Sequence, residues 1–163
     1  KVDDLELLME NSKTKAEFLG EAFQKTIRFD TPDRDLERKG IFLRVRSGFE
    51  NVITLKKKIE TTSDVFAREE IEVDIKDIDK MAKILSDLGF NRQWIMEKYR
   101  SEWKYDNLIL SVDKLPFGDY LEIEGREDEI KQAAEEFGFG FKNKIISSYW
   151  DIFTWRWCWI SCL

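Results

Sequence analysis

The feature that most constrains this chain is an alternation of charged and apolar side chains with a period of two, repeated through six segments. In IFLRVRS, Arg44 and Arg46 alternate with Leu43 and Val45. In VITLKKKIE, Thr54, Lys56 and Lys58 share one side, and Lys57 falls on the other. REEIEVDI sets Arg68, Glu70 and Glu72 against Ile71 and Val73. Lys98 and Arg100 follow in IMEKYRSEWKY, Ser111 and Asp113 in NLILSVDKL, and Glu122 and Glu124 in DYLEIEG. Successive side chains on a strand point to opposite faces, so each segment reads as a strand with one charged and one mostly apolar face. QKTIRFDT is a further strand that runs into a turn at Thr31 to Asp33, and SYWDIF is read as the last strand. Strand after strand, joined by short turns such as the one at Gly48, predicts a largely antiparallel sheet and an α+β fold.

Three segments change to helical spacing. Asp3 or Asp4 can cap a short helix with Leu5, Leu8 and Met9 on its apolar side. DIDKMAKILSDLGF places Ile78, Met81, Ile84, Leu85 and Leu88 on one stripe and stops at Gly89. REDEIKQAAEEFGFG does the same with Ile130, Ala133, Ala134 and Phe137, and stops at Gly138. At 163 residues the chain is long enough for one domain with a real core. That domain is assigned to residues 1–153. Residues 154–163 form a tail that continues a run holding four of the six tryptophans, between Trp150 and Trp159.

A charged strand face is often simply solvated. Here the charges are sorted, with cation pairs on three strands and carboxylate pairs on two, and like charges need a reason to be grouped. A curled sheet supplies one. With the charged face concave and the apolar face covered outside by amphipathic helices, the interior becomes a wet tunnel lined with both signs. Arginine offers bidentate hydrogen bonding to phosphate oxygens and lysine adds point charge. Clustered carboxylates supply hard oxygen ligands for Mg²⁺ or Mn²⁺. A polyanion carried with a divalent cation satisfies both groups.

Composition narrows the chemistry. There is no histidine, so any catalysis must use carboxylates, lysine, arginine, tyrosine or metal-activated water. The net charge of −6 argues against a nucleic-acid partner, which wants a broad basic field. Cys158 and Cys162 stand close together without histidine, which suits neither a zinc site nor a disulfide framework. The expected setting is reducing and cytoplasmic, with no membrane association, and a homodimer is compatible with the sequence.

The order LRVR, TLK, REEIEV, EKYR, SVD and YLEIEG, with FDTPDRDL as lead-in, resembles the CYTH superfamily over nearly the whole chain, Lys1 to Phe153. That group includes class IV adenylate cyclases, thiamine triphosphatases and inorganic triphosphatases. The resemblance implies a closed antiparallel β-barrel, the triphosphate tunnel fold, with helices packed outside. It implies that Arg44, Arg46, Lys56, Lys98 and Arg100 hold the triphosphate. Glu122 and Glu124 would bind metal, Glu70 and Glu72 would add to the acidic side, and Asp113 would join Glu122 and Glu124 in the catalytic set. The cofactor would be Mg²⁺ or Mn²⁺, and the ligand ATP, tripolyphosphate or thiamine triphosphate.

The family opens with a strand carrying Glu-x-Glu-x-Lys, and none precedes KVDDLELL here. KVDD reads as the end of that strand, so the expectation is a chain lacking its first strand, and with it half of the carboxylate metal shell and one lysine. A literal match at Glu127, Glu129 and Lys131 falls on a predicted helix, where residues two apart do not share a face. The sequence leaves two reactions open, hydrolysis by water and cyclisation of ATP by its ribose 3′-hydroxyl. A non-catalytic polyphosphate- or nucleotide-binding module is the alternative.

Overall fold

The structure is a computed structural model that describes residues 1–2, 4–58, 68–140, 144–145 and 147–153. Its elements run α1 (Leu5–Lys15), β1 (Glu17–Asp30), α2 (Asp35–Arg38), β2 (Ile41–Ser47), β3 (Val52–Lys58), β4 (Arg68–Asp74), α3 (Ile78–Asp87), β5 (Asn91–Tyr105), β6 (Leu108–Leu115), β7 (Gly118–Glu124) and α4 (Glu127–Glu136). All seven strands join one sheet in the order β4-β3-β2-β1-β5-β6-β7, with every pairing antiparallel.

The register keeps the sorted charges on one face. Arg28 lies opposite Arg44, Arg44 opposite Thr54, and Thr54 opposite Glu72. Gln24 lies opposite Lys98, Arg100 opposite Asp113, and Ser111 opposite Glu122. Directly opposed residues share a face, so this set forms one continuous polar surface. The other face splits into two apolar clusters. α3 covers Ile27, Phe29, Leu43 and Val45 with Ala82 and Leu85. Leu8 of α1 and Phe137, which caps α4, cover Trp103, Leu110 and Val112. The helices therefore pack on the outside.

The polar face curls. β3 and β7 are five strand spacings apart, about 24 Å on a flat sheet. Yet Glu124 on β7 acts electrostatically on Lys56 of β3, an interaction that solvent and salt would screen out at that separation. Curling does not amount to closure: β4 and β7 form no ladder with each other among the described residues. The edge of β7 instead meets Val2, whose amide donates to the Asp119 carbonyl at 2.8 Å in an isolated bridge.

The helix ends form as their sequences dictate. Asp4 accepts from the Leu7 amide at 2.9 Å, and Asp77 accepts from the Lys80 amide at 3.0 Å. Gly89 and Gly138 follow α3 and α4 at φ 92° and 83°, the left-handed region that glycine enters without steric cost. Ile84 and Leu88 of the predicted α3 stripe are exposed, and Ala82 takes the core position.

Three elements differ from expectation. β1 begins at Glu17, seven residues ahead of the predicted Gln24, because β5 pairs along its whole length, with a register shift between Phe18 and Gly20. The short α2 was not foreseen. It forms because the buried Asp30 carboxylate accepts from the amides of Leu36 and Glu37 at 2.9 and 3.0 Å. SYWDIF is not a strand: residues 149–153 are helical. Ser148 and Asp151 build a reciprocal capping box there, each side chain accepting from the other's amide, at 3.0 and 3.3 Å.

Candidate functional site

The concave face encloses a cavity of about 1460 Å³, which also extends past the β7 edge toward α1 and α4. Two walls carry its charge. On the β2–β3–β4 wall, Arg44 sits 3.5 Å from Glu70 and 3.7 Å from Glu72, and Arg46 sits 3.5 Å from Glu72. Lys56 reaches Glu70 at 2.7 Å. Thr54 donates its hydroxyl to Glu72 at 2.7 Å and accepts from Arg44 Nε at 3.2 Å. Burial lowers the Arg44 pKa to about 10, with the neighbouring Arg46 charge adding to the effect. Burial lowers Lys56 as well, followed by repulsion from Arg44.

The β5–β6–β7 wall is built around Asp113, which has no solvent exposure. Its two oxygens accept from Lys98 Nζ at 2.7 Å, Arg100 Nε at 2.7 Å, Arg100 Nη2 at 2.6 Å and the Tyr149 hydroxyl at 2.8 Å. Arg100 also pairs with Glu122 and lies 3.7 Å from Glu102. Burial alone would lower the Arg100 pKa, but its hydrogen bonds to Asp113 and the Glu122 charge outweigh it and hold the guanidinium protonated. Lys98 goes the other way. Desolvation and the adjacent Arg100 bring it down to about 8, despite its ion pair with Asp113. For Asp113, burial would raise the pKa, but the hydrogen bond from Arg100 and the Lys98 charge leave it below the usual carboxylate value. Tyr149 is raised by burial and by the Glu122 and Asp113 charges, so its hydroxyl stays a donor.

All five predicted phosphate-binding cations therefore line one cavity. The predicted carboxylates are divided between its walls. Glu70 and Glu72 are engaged by Arg44, Arg46 and Lys56, and Glu122 by Arg100. Glu124 forms no hydrogen bond or ion pair among the described residues. No group of three or more metal-binding side chains converges among those residues. Arg68 also lines the cavity, and Asp151 of the C-terminal turn acts on it electrostatically. Lys57 and Lys58 are exposed. Glu127 and Lys131 form an ordinary helical pair at 2.7 Å, while Glu129 accepts from Asn107.

Sequence reasoning missed several residues of this face. Arg28 is buried, pairs with Glu37 at 3.1 Å, and stacks on Phe42 and Trp150 with its Cζ 5.1 and 5.4 Å from the ring centroids. Its signal was present, since Gln24, Thr26 and Arg28 keep the same two-residue alternation. Tyr149 carried no such signal, because its place depends on a helical turn read as strand. Trp94 and Phe42 line the cavity as well, and Trp94 meets Trp150 edge-on at 5.2 Å. Cys158, Cys162 and the rest of the 154–163 tail lie outside the described residues.

Comparison with known proteins gives a consistent result. Residues 1–149 match the CYTH domain family. A protein of Methanocaldococcus jannaschii that bears the name "Putative adenylate cyclase MJ0240" is 33% identical over 136 residues, spanning 81% of this chain and 77% of the relative. The solved structure of PH1819 from Pyrococcus horikoshii is 26% identical with a TM-score of 0.75, covering 94% of this chain and 95% of that one. A Hippeastrum structure, described as a "Putative adenylyl cyclase" with "a dominant triphophatase activity", shares the fold at 18% identity and a TM-score of 0.70, covering 91% and 88%. With its sequence match over most of its length and its curled antiparallel sheet, the chain belongs to the CYTH family.

Proposed function

We propose that this protein is a metal-dependent enzyme that acts on a triphosphate held in the cavity, with hydrolysis as its primary reaction. The observation that carries this reading is the placement of Arg44, Arg46, Lys56, Lys98 and Arg100 around one cavity, on two walls. Each wall presents guanidinium and ammonium donors that suit phosphate oxygens. A chain of three phosphates lying between the walls would exchange the cations' present carboxylate partners for its own oxygens. The high density of charge is tolerable because the cavity is large enough to hold water; dry burial would cost several kcal/mol per ion.

Asp113 acts as a positioning residue in this account. It fixes Lys98 and Arg100 from beneath, so that their remaining donors face the phosphates. The donor set fits a divalent cation that arrives with its substrate. Glu122 and Glu124 share the concave face of β7, and the oxygens of Glu124 are uncommitted among the described residues. Mg²⁺ commonly takes one or two carboxylates and completes its shell with phosphates and water. Bound there, the cation would supply Lewis-acid neutralisation of charge at the reacting phosphorus. The arginines stabilise the negative charge that develops on the equatorial oxygens.

A specific observation favours cyclisation as the second reading. Phe42 and Trp94 line the cavity beside the cationic walls and add aromatic surface of the kind against which a nucleobase packs. The Methanocaldococcus jannaschii relative bears a cyclase name. Incubation with tripolyphosphate or ATP, with and without Mg²⁺ or Mn²⁺, followed by phosphorus NMR, separates the readings. Orthophosphate release supports the hydrolase. Cyclic AMP with pyrophosphate supports the cyclase and displaces hydrolysis as the primary reaction. Binding without turnover in any metal overturns the enzymatic proposal and leaves the binding module.

A further inference from the structure

Lys98 differs from the other cations of the cavity in the surroundings of its amine. Its side chain lines the cavity and is only 6% exposed. Nζ donates to Asp113 Oδ2 at 2.7 Å, and Arg100 Nη2 donates to the same oxygen at 2.6 Å. One acceptor thus sets an amine and a guanidinium side by side. The Tyr149 ring centroid lies 5.1 Å from Nζ. Gln24, the partner of Lys98 in the β1–β5 ladder, is neutral. Glu122 acts on the amine from β7 but is itself engaged by Arg100. Burial and a neighbouring cation both favour the uncharged amine, and together they bring Lys98 down to about 8. Lys56, on the other wall, pairs with Glu70 and is the more exposed of the two.

We propose that Lys98 is a covalent modification site for acyl phosphates, small molecules in which a phosphate is joined to a carbonyl carbon. The inference rests on the cavity taking phosphate, as proposed above, but it requires no turnover. Arg100 is the anchor for the phosphate, with Arg44, which is near enough to feel the Arg100 charge, as its counterpart on the opposite wall. The carbonyl carbon of such a molecule is one oxygen away from the phosphorus. A phosphate held by Arg100 therefore brings that carbon beside the Lys98 amine. The uncharged amine attacks it. A C–N bond forms, the C–O bond to the phosphate breaks, and the electron pair leaves on the phosphate oxygen. Counted from the ammonium form, one proton goes to the departing phosphate and one to solvent, and nothing is oxidised or reduced. The amide product carries no charge. Asp113 keeps Arg100 and Tyr149 but loses its ammonium partner. The β5–β7 wall is left with Arg100 to hold phosphate, and acylation switches the site off.

Incubation of the full, metal-free chain with acetyl phosphate tests the proposal, with acetylation of each lysine followed by peptide mass spectrometry. Lys98 should be acetylated at least tenfold faster than Lys80, whose side chain is 83% exposed. Acetic anhydride, which carries no phosphate, should reverse that order. Tripolyphosphate should protect Lys98 and leave the rate at Lys80 unchanged. Protein acetylated at Lys98 should lose most of its tripolyphosphate-induced rise in melting temperature. Lys98 modified no faster than Lys80, or Lys56 modified in its place, overturns the proposal. Fast modification of Lys98 that acetic anhydride reproduces, or that tripolyphosphate does not slow, overturns it too. The melting of the unmodified protein separates the two readings. Stabilisation by tripolyphosphate without preferential acetylation of Lys98 overturns this inference alone. No stabilisation overturns the phosphate site itself, and this inference with it.

Discussion

Replacing Asp113 with asparagine tests how the charged interior is held. The substitution keeps the side chain's size and removes its charge. Asp113 is fully buried and accepts four hydrogen bonds, three of them from Lys98 and Arg100. Asp113→Asn turns one acceptor into a donor that faces cations, takes from the buried Lys98 its carboxylate partner, and leaves Arg100 to Glu122 and Glu102 alone. Removing one member of a buried ion pair typically costs about 3–5 kcal/mol. That is a large share of the roughly 5–15 kcal/mol that holds a domain folded. At about 2–4 °C per kcal/mol for a chain of this size, the melting temperature should fall by about 10 °C. Urea denaturation at pH 7 should show the loss as a lower midpoint with an unchanged slope. Tripolyphosphate should then stabilise the variant by fewer degrees than wild type, because Lys98 and Arg100 are no longer held with their donors toward the phosphates. A loss below about 1 kcal/mol, together with an unchanged response to tripolyphosphate, would refute the claim that Asp113 neutralises the two cations.

Further substitutions probe the two walls separately. Arg44→Ala and Arg46→Ala should each weaken tripolyphosphate binding by about 1.5–3 kcal/mol in calorimetric titrations, the scale of a hydrogen bond to a charged group. Glu124→Gln should leave metal-free tripolyphosphate binding intact or tighter, yet raise the Mg²⁺ concentration needed for half-maximal activity. The pH dependence follows from Lys98, held at about 8 by burial and Arg100. Between about 8 and the ordinary lysine value the unfolded chain binds more protons at this site, so its contribution to the stability of the empty protein rises with pH there. Triphosphate affinity should fall over the same range as the ammonium discharges. Both slopes should flatten in Lys98→Met, measured by melting and titration from pH 7 to 10.

Much of the fold was legible in the sequence because the alternation that defines each strand also fixes which face is charged. Arg44 with Arg46, and Glu122 with Glu124, could be assigned to one surface without knowing the pairing order. The failures have local causes. The start of β1 reads EFLGEAF, where Gly20 and a register shift break the alternation, and only pairing with β5 keeps the segment extended. The aromatic residues at 149–153 have high strand propensity and predict a strand there. The capping box from Ser148 to Asp151 overrode that preference. Ion-pair partners were not legible at all. Which carboxylate neutralises which cation depends on register and curl, so the division of Glu70 and Glu72 from Glu122 and Glu124 emerged only from the structure.

The most direct test of the central claim is thermal melting of the full chain with tripolyphosphate, with and without Mg²⁺, beside Arg44→Ala and Arg100→Ala. A ligand that binds only the folded state raises its apparent stability according to its affinity. Wild type should show a clear upward shift, larger with Mg²⁺ than without, and both variants a much smaller one. No shift in wild type under either condition, or an equal shift in all three proteins, would contradict the assignment of the cavity as a triphosphate site.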